Sequence, residues 1–261
     1  MSGGSAHRYL TVADPVQQAL DSGQPVVALE TTLVTHGFPA NEGLELALEL
    51  EEIVRQAGAI PATVGAIARQ LVVGLTPDQL RALAATPEVA KLNPANLAAG
   101  LASGDPGSTT VAATMIAARA TGIRVLATGG IGGVHRHAEK TGDVSADLTT
   151  LAKLPVAVVC AGAKAILDLP RTLEALETLG VPVFGLGTHR CPAFYRWDSG
   201  LPLDWRFRTL SEMAAAISAH FDLGFGSGVV VANPIDDEHE MPVEVYEAAL
   251  EQALDEAQPE R

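Results

Sequence analysis

The 261-residue sequence is poor in several features that each mark a class of protein. It has no uninterrupted apolar run of about 18 residues, the length that a membrane-spanning helix requires. Aromatic residues make up only 4% of the chain, whereas 48% of its residues are hydrophobic, so we expect an aliphatic core. The N-terminal sequence MSGGSAHRYL has no basic stretch followed by an apolar one, so no secretory signal is predicted. These absences favour a soluble protein built from aliphatic helices and strands.

Cysteine is equally scarce, and its placement excludes two further classes. The two cysteines, Cys160 and Cys191, form neither a CxxC pair nor a disulfide framework. Cys160 lies inside the apolar run VAVVCAG, which predicts a buried small hydrophobic residue. We therefore expect the protein to work in the reducing environment of the cytoplasm.

Positive charge is in short supply. The chain has 17 basic and 31 acidic residues, a formal net charge of −14. A field of that sign repels duplex nucleic acid and anionic membrane surfaces, so neither is an expected partner. A small anionic ligand is compatible with it, because a local cluster of donors holds a phosphate against an adverse net charge.

Short β-branched runs alternate with longer helical stretches, which predicts a mostly parallel sheet with helices on its faces. The predicted strands are 26–29, 63–68, 125–127, 156–160, 181–184 and 229–232. Thr76-Pro77-Asp78-Gln79 predicts a capping box that opens a helix ending near Ala85, and amphipathic helices are predicted over 44–57 and 243–257. The expected fold is an α/β three-layer sandwich with a mixed sheet, in a single domain over residues 1–261 whose first 12 or so residues are flexible.

Polar residues follow the apolar runs, at the strand ends where α/β sheets bind their ligands. Glu30 follows VVAL, Lys164 follows VAVVCAGA and Asn233 follows VVVA. Glu30 ends a strand that should be buried, so it is either a functional carboxylate or a structural one bonded to backbone amides. Lys164 is either a nucleophile or base beside a desolvated core, or an exposed lysine on the first turn of the next helix.

Two further motifs carry candidate ligands. The loop TGGIGGVHR offers four glycines with His135 and Arg136, which favours phosphate binding or, alternatively, a tight structural turn. It lacks the GxGxxG spacing of dinucleotide-binding loops. In DVSAD, Asp143 and Asp147 either bind Mg²⁺ or Mn²⁺, or the motif caps a helix through Asp143 or Ser145. No GxSxG, HExxH or Walker motif is present, which disfavours serine-triad and zinc hydrolysis.

Six strings resemble one known family. VVALETTLVTHGFP, ATGGIGGVHR, DVSADLTTLA, VVCAGAKAILDLPRTLEALETLGVPV, CPAFY and VVVANPI lie in the order found in the pseudouridine-5′-phosphate glycosidase family, and the resemblance covers about residues 15 to 257. It implies reversible cleavage of the C–C glycosidic bond of pseudouridine 5′-phosphate to uracil and ribose 5-phosphate, with Mn²⁺ as cofactor. The family is trimeric, so the resemblance also implies a homotrimer.

The resemblance assigns roles to individual residues. Glu30 in ALETT takes the proton donor's position, Lys164 in CAGAK the nucleophile's, and Asp143 the metal ligand's. The implied substrate-binding residues are Lys91, Val111 (through its backbone), Ser145, Ala146 and Asp147. We expect His135 and the glycine-loop amides to bind the phosphate.

The chemistry agrees with those roles. Uracil joined through C5 is a poor leaving group, because breaking the bond leaves charge on carbon. The two-carboxylate mechanism of ordinary glycosidases is therefore insufficient. An amine that captures C1′ of the opened ribose as an iminium supplies an electron sink, while an acid protonates C5. Lys164 and Glu30 have the side chains for these two tasks.

The resemblance has one departure. Family members usually continue past the helix predicted to end near Ala257 into a segment with an active-site asparagine, whereas this sequence stops at Arg261. Asn233 belongs to a different motif and is not its substitute. The departure leaves open a catalytically silent phosphosugar-binding or assembly protein. The same lysine, carboxylate and glycine loop also allow another Schiff-base lyase acting on a sugar phosphate.

Overall fold

The computed structural model describes residues 8–256, without the side chains of residues 40, 41 and 255. The chain forms two compact units, of which the first ends at Ala127 and the second begins at Thr128. The single domain over residues 1–261 stays a prediction. Of the N-terminal segment expected to be flexible, residues 1–7 lie outside the described part, and Leu10–Val12 form a strand.

The first unit contains seven strands and five α-helices within the described residues. In chain order they are β1 (Leu10–Val12), α1 (Asp14–Ser22), β2 (Val26–Leu29), α2 (Ala40–Gln56), β3 (Ile60–Ile67), β4 (Gln70–Val73), α3 (Pro77–Ala85), β5 (Ala90–Leu92), α4 (Leu97–Ser103), β6 (Gly107–Thr109), α5 (Val111–Thr121) and β7 (Val125–Ala127). A short π-helix, Leu33–Gly37, lies between β2 and α2.

The strands of the first unit run in the order β1-β4-β3-β2-β7. All pairs are parallel except the β3–β4 hairpin. Strand β6 pairs with the same edge of β3 as β2 does, but β6 runs antiparallel to β3. Strand β5 pairs with β6. Leu29 of β2 is level with Thr63, and Ser108 of β6 with Gly65. Strands β2 and β6 therefore run toward each other along β3, and their carboxyl ends meet beside Val64.

The second unit is built on four parallel strands. Its described elements are α6 (Ala138–Thr141), α7 (Ala146–Leu151), β8 (Ala157–Cys160), α8 (Leu169–Thr178), β9 (Val183–Leu186), β10 (Trp205–Phe207), α9 (Leu210–Asp222), β11 (Val229–Ala232) and α10 (Val243–Glu256). The strand order is β8-β11-β9-β10. Every residue of β11 is buried, as are six consecutive residues of β3 in the first unit. Because successive side chains point to opposite faces, both faces of these strands are covered, as in an α/β sandwich.

Several sequence predictions are confirmed. Strands 26–29, 125–127 and 229–232 have the predicted bounds, and the capping box at Thr76 forms with Gln79. The strand predicted at 63–68 instead spans Ile60–Ile67, because Ala68 and Arg69 adopt left-handed conformations in the hairpin turn. The strand predicted at 181–184 lies two residues later, and β1, β4, β5, β6 and β10 were not predicted. No helix in residues 8–256 is long and apolar enough to cross a membrane.

Truncation of a side chain in the core of the first unit should lower the stability of the protein strongly. Leu83 in α3 is 1% exposed and packs in a cluster with Leu80, Val34 and Ala47. We expect Leu83→Ala to lower the free energy of unfolding by about 2–5 kcal/mol, because it leaves a cavity in a close-packed core. Urea denaturation would measure it. The matched control is Leu223→Ala, at a residue 75% exposed, where a change within about 0.5 kcal/mol is expected. Equal costs for the two variants would contradict the assigned core.

Candidate active site

Glu30 is held at the point where β2 ends. It is 9% exposed, and its Oε2 accepts a hydrogen bond from the backbone N–H of Leu33 at 3.2 Å. This amide opens the π-helix Leu33–Gly37, a distortion that is frequent at functional sites. The structure thus gives Glu30 the backbone partner expected of a structural carboxylate while keeping it at the strand end expected of a functional one.

A network of buried threonines joins the ends of β2 and β6. The hydroxyls of Thr31 and Thr109 each donate to the carbonyl of Val64 at 2.7 Å. The amide of Thr109 donates to the Thr31 hydroxyl at 2.9 Å, and the Thr114 hydroxyl donates to that of Thr109 at 2.9 Å. All three threonines are fully buried. The network therefore fixes the turn that carries Glu30 against the start of α5.

The other predicted residues of the first unit lie around this junction. Val111 is the buried first residue of α5, and the hydroxyl of Thr110 caps the helix by accepting from the amide of Ala113. Lys91 is exposed on β5, where it pairs in register with Ser108 of β6. First-turn amides of a helix have no partner within the helix, and the cap takes that of Ala113; the backbone contact implied for Val111 stays a prediction.

His36 is a candidate that the sequence analysis did not single out, although it lies within the quoted string THGFP. Its Nδ1 lies 2.6 Å from the Thr35 hydroxyl and 3.4 Å from that of Ser108. Burial of the ring lowers the pKa of His36, and the positive charge of Lys91 lowers it further. The histidine is therefore biased toward its neutral form beside a predicted substrate-binding lysine.

In the second unit, the glycine-rich loop runs beside the segment that carries Lys164. Ala161 donates its amide to the carbonyl of Gly129 at 3.0 Å, Ile131 donates to that of Gly162 at 3.1 Å, and Lys164 donates to that of Ile131 at 3.0 Å. Lys164 is half-buried and lies five residues before α8 begins at Leu169. It is therefore not the exposed first-turn lysine of the alternative reading, but part of a backbone-anchored loop.

The glycines of the loop are required by close packing. A Cβ at Gly132 would overlap the side chain of Ser145, one at Gly133 would overlap Thr172, and one at Gly130 would overlap the ring of Phe194. Four backbone amides of the loop donate hydrogen bonds to acceptors within the protein. They are those of Ile131, Gly132, Val134 and His135. Those four amides are not available to a phosphate, so they give no support to the predicted phosphate cradle.

The two aspartates of DVSAD have different environments. Ser145 caps α7, accepting from the amide of Asp147 at 3.2 Å. Asp147 is buried, and its Oδ2 accepts from the amide of Gly132 at 2.8 Å. Asp143 precedes the helix with a side chain 62% exposed, and its Oδ2 lies 3.6 Å from Nδ1 of His135. The aspartates therefore flank the helix start rather than share one helical face, with Ala146 between them as the first helical residue.

Asp143, the predicted metal ligand, has an exposed carboxylate. Among the described residues, no three His, Cys, Asp or Glu side chains are grouped so as to hold an ion. A single exposed carboxylate fits a hard cation that keeps most of its water ligands, as Mg²⁺ does and Mn²⁺ can. A cavity of about 910 Å³ opens beside Asp143 and His135 and is lined on its other side by α10.

Cys160 and Asn233 lie at the ends of β8 and β11, and Cys191 lies in the loop between β9 and β10. The amide of Asn233 donates to the carbonyl of Cys160 at 2.9 Å, and the residue is exposed beside a cavity of about 530 Å³. Cys160 and Cys191 are buried and free, as predicted for Cys160. Burial raises the pKa of the Cys160 thiol to about 11 and that of Cys191 to about 12. Neither thiol is a nucleophile at neutral pH.

The chain matches a known family over nearly all of its length. Residues 15–261 match the family described as indigoidine synthase A like protein, and the chain belongs to that family. It is 49% identical over 251 residues to a pseudouridine-5′-phosphate glycosidase of Caldanaerobacter subterraneus subsp. tengcongensis, covering 96% of this chain and 82% of the relative. It is 52% identical over 251 residues to one of Methylobacterium nodulans, covering 96% and 74%. The resemblance predicted from the six strings is confirmed.

Two solved structures share the fold. The crystal structure of the prealnumycin C-glycosynthase AlnA in complex with ribulose 5-phosphate has a TM-score of 0.88 and 40% sequence identity, covering 95% of this chain and 81% of that one. An indigoidine synthase A-like protein of Thermotoga maritima has a TM-score of 0.87 and 31% identity, covering 97% and 82%. The α/β fold with a mostly parallel sheet is confirmed.

The threonine network predicts a stability effect at the site. Thr109→Val keeps the shape of the side chain but removes its hydroxyl, while Val64 keeps the bond from Thr31 and Thr114 its bond to the carbonyl of Thr110. We therefore expect a loss of about 0.5–1.5 kcal/mol in the free energy of unfolding. Urea denaturation would measure it. The control is Thr178→Val at an exposed position, where a change within about 0.5 kcal/mol is expected. If both variants unfold at the same denaturant concentration, the network does not hold the strand ends together.

Burial of the cysteines predicts thiols that do not react in the folded state. At about pH 8, where an ordinary thiol with a pKa of about 8.5 is reactive, we expect Ellman's reagent to modify neither Cys160 nor Cys191. In guanidinium chloride both should react. Thr178→Cys supplies an exposed thiol as the positive control, and rapid labelling of the unmodified folded protein would refute the burial.

Proposed function

We propose that this chain catalyses the reversible cleavage of the C–C glycosidic bond of pseudouridine 5′-phosphate, giving uracil and ribose 5-phosphate. The observation that carries the proposal is identity of about half of the aligned residues, over 96% of this chain, with proteins named for that activity. The ribulose 5-phosphate bound to AlnA supports it, because a five-carbon sugar phosphate is held by a protein of the same fold.

Lys164 is the proposed nucleophile. When the neutral Lys164 amine bonds to C1′, the C1′–O4′ bond breaks and O4′ takes up a proton, while the nitrogen loses one. As the nitrogen lone pair forms the C1′=N bond, the C1′–C5 bond breaks and C5 takes a proton, which releases uracil. Water then hydrolyses the iminium to give ribose 5-phosphate and the free amine. The backbone bonds from 161–164 to the glycine loop support this role, because they fix the main chain from which the amine extends.

Glu30 is the proposed acid that delivers the proton to uracil C5. Its burial supports the role, because a site from which water is excluded leaves the carboxyl, rather than solvent, as the proton donor to the substrate. The amide of Leu33 at Oε2 fixes the orientation of the group.

The remaining predicted residues bind the substrate in this proposal. They are Lys91, the backbone at Val111, Ser145, Ala146, Asp147 and His135. Lys91 and His135 bring basic groups suited to an anionic substrate, whereas Asp147 is an acceptor already held by the amide of Gly132. The phosphate is assigned to His135 rather than to the four engaged loop amides.

Asp143 is proposed to hold Mn²⁺ or another divalent cation through one carboxylate and water. When bound, the ion supplies positive charge that orients oxygens of the substrate. We also propose a homotrimer, on the resemblance alone, and a cytoplasmic location, which the two free cysteines support.

A second candidate is a different Schiff-base enzyme acting on a sugar phosphate. The 40% identity with AlnA, named as a C-glycosynthase, favours it specifically. Lysine trapping by borohydride with ribose 5-phosphate is expected from both enzymes. Dependence of the reverse reaction on uracil separates them.

The test is uracil release from pseudouridine 5′-phosphate with Mn²⁺ by the wild-type chain and three variants. We expect Lys164→Ala to lower kcat by about 10³-fold or more, since it removes the nucleophile, and Glu30→Gln to lower it by about 10²-fold or more. Lys153→Ala, at an exposed lysine, should leave the rate unchanged. Full activity of Lys164→Ala would refute the Schiff base, and tight binding without release by the wild type would favour a silent binding protein.

A further inference from the structure

A single short segment, 191–194, packs against both loops of the second unit that carry candidate site residues. The carbonyl of Pro192 occupies the space that a Cβ at Gly162 would need, and Gly162 has a φ of +97°. A Cβ at Gly130 would come within 2.6 Å of Cε2 of the Phe194 ring. The amide of Phe194 also donates to the carbonyl of Ala161 at 2.9 Å. Phe194 thus touches the glycine loop with its ring and the Lys164 loop with its backbone.

The backbone of Phe194 is strained. Its φ of +65° lies in the left-handed region, which costs a non-glycine residue energy that glycine would not incur. The chain nevertheless places a large aromatic residue there. Strain of this kind persists where the surroundings enforce it, and it clusters at functional sites. The side chain, rather than the backbone conformation, is what a glycine at this position would lose.

Neighbouring contacts hold the segment in place. The Tyr195 ring packs edge-on against that of Phe194, with 4.5 Å between centroids. The carbonyl of Tyr195 accepts from the amide of Met241 at 3.0 Å. The carboxylate of Glu240 accepts from Nε of Arg196 at 3.2 Å and from the amide of Trp197 at 3.1 Å. Three hydrogen bonds to residues 240 and 241 therefore hold the chain directly after Phe194.

We propose that Phe194 is a positioning residue: its ring fixes the glycine loop against the segment 161–164 and thereby sets the position of the Lys164 amine. The catalytic consequence rests on the proposed role of Lys164. That the ring fixes the two loops against each other rests only on the packing of Phe194. A misplacement of about 1 Å at a reacting group is enough to cost about 10²-fold in rate, so loss of the ring should lower kcat. Substrate binding should change less, because His135, at the other end of the glycine loop, is held by its own amide bond to the carbonyl of Asp143.

The test compares Phe194→Ala with Phe194→Gly. Both variants lose the ring, but only glycine relieves the backbone strain, so Phe194→Gly should melt at a higher temperature than Phe194→Ala. We expect kcat for uracil release to fall by about 10- to 100-fold in both, with KM within about threefold of the wild-type value. Phe225→Ala, at an exposed phenylalanine, serves as the control with unchanged kinetics. If Phe194→Gly is both more stable than Phe194→Ala and has the kcat of the wild type, Phe194 is only a structural residue and the proposal is wrong.

Hydrogen exchange tests the positioning without reference to the reaction. The amides of Ala161, Ile131 and Lys164 form the bonds between the two loops, and they should exchange at least about tenfold faster in Phe194→Gly, while those of β11 are unchanged. Unaltered exchange at these three amides overturns the proposal whatever the activity. Faster exchange in a protein whose wild type releases no uracil supports the positioning role and refutes the proposed function instead.

Discussion

The polar groups at the ends of the buried strands have to be hydrogen-bonded, because they lie where water does not reach them. The two units meet this constraint differently. In the first unit three threonines supply the bonds and bring the ends of β2 and β6 together at the carbonyl of Val64. In the second, main-chain bonds join two loops, and the side chains of Asp147 and Thr172 accept from two further loop amides. Glu30 directly precedes Thr31, and Lys164 donates one of the bonds between the loops, so the backbone positions of both residues are consequences of how the strand ends are hydrogen-bonded.

The parts of the fold that could be predicted are those whose signal lies in consecutive residues. The runs VVAL and VVVA are continuous and apolar, and the capping box at Thr76 is a local pattern, so each was predicted with its bounds. Strand β4 was missed because its hairpin turn is Ala68-Arg69, both at positive φ, without the glycine or asparagine that marks such turns. Strands β5 and β6 are three residues long and depend on pairing with each other and with β3.

The residues of the candidate site that could be predicted are likewise those with a local sequence signal. Glu30 and Lys164 could be found because each polar residue directly follows an apolar run. Thr109 and Phe194 could not, because their importance comes from residues distant in sequence: Thr31 and Val64 for one, Gly130 and Ala161 for the other. The glycine loop was ambiguous for a physical reason. Absence of a Cβ serves a bound anion and a close-packed neighbour equally well, and only the coordinates place Ser145, Thr172 and Phe194 against these glycines.

Asp143 and Asp147 illustrate how position rather than residue type decides what a carboxylate can do. Asp147 is buried at the start of α7 and committed to the amide of Gly132, so it stabilises the loop and presents a fixed acceptor. Asp143 lies four residues earlier, outside the helix and largely in water. A cation bound there would exchange its water ligands readily and be held weakly, since one exposed carboxylate gains little over hydration. The affinity of the proposed cation would therefore depend on the substrate's oxygens as well as on the protein, which would couple ion binding to the presence of a substrate.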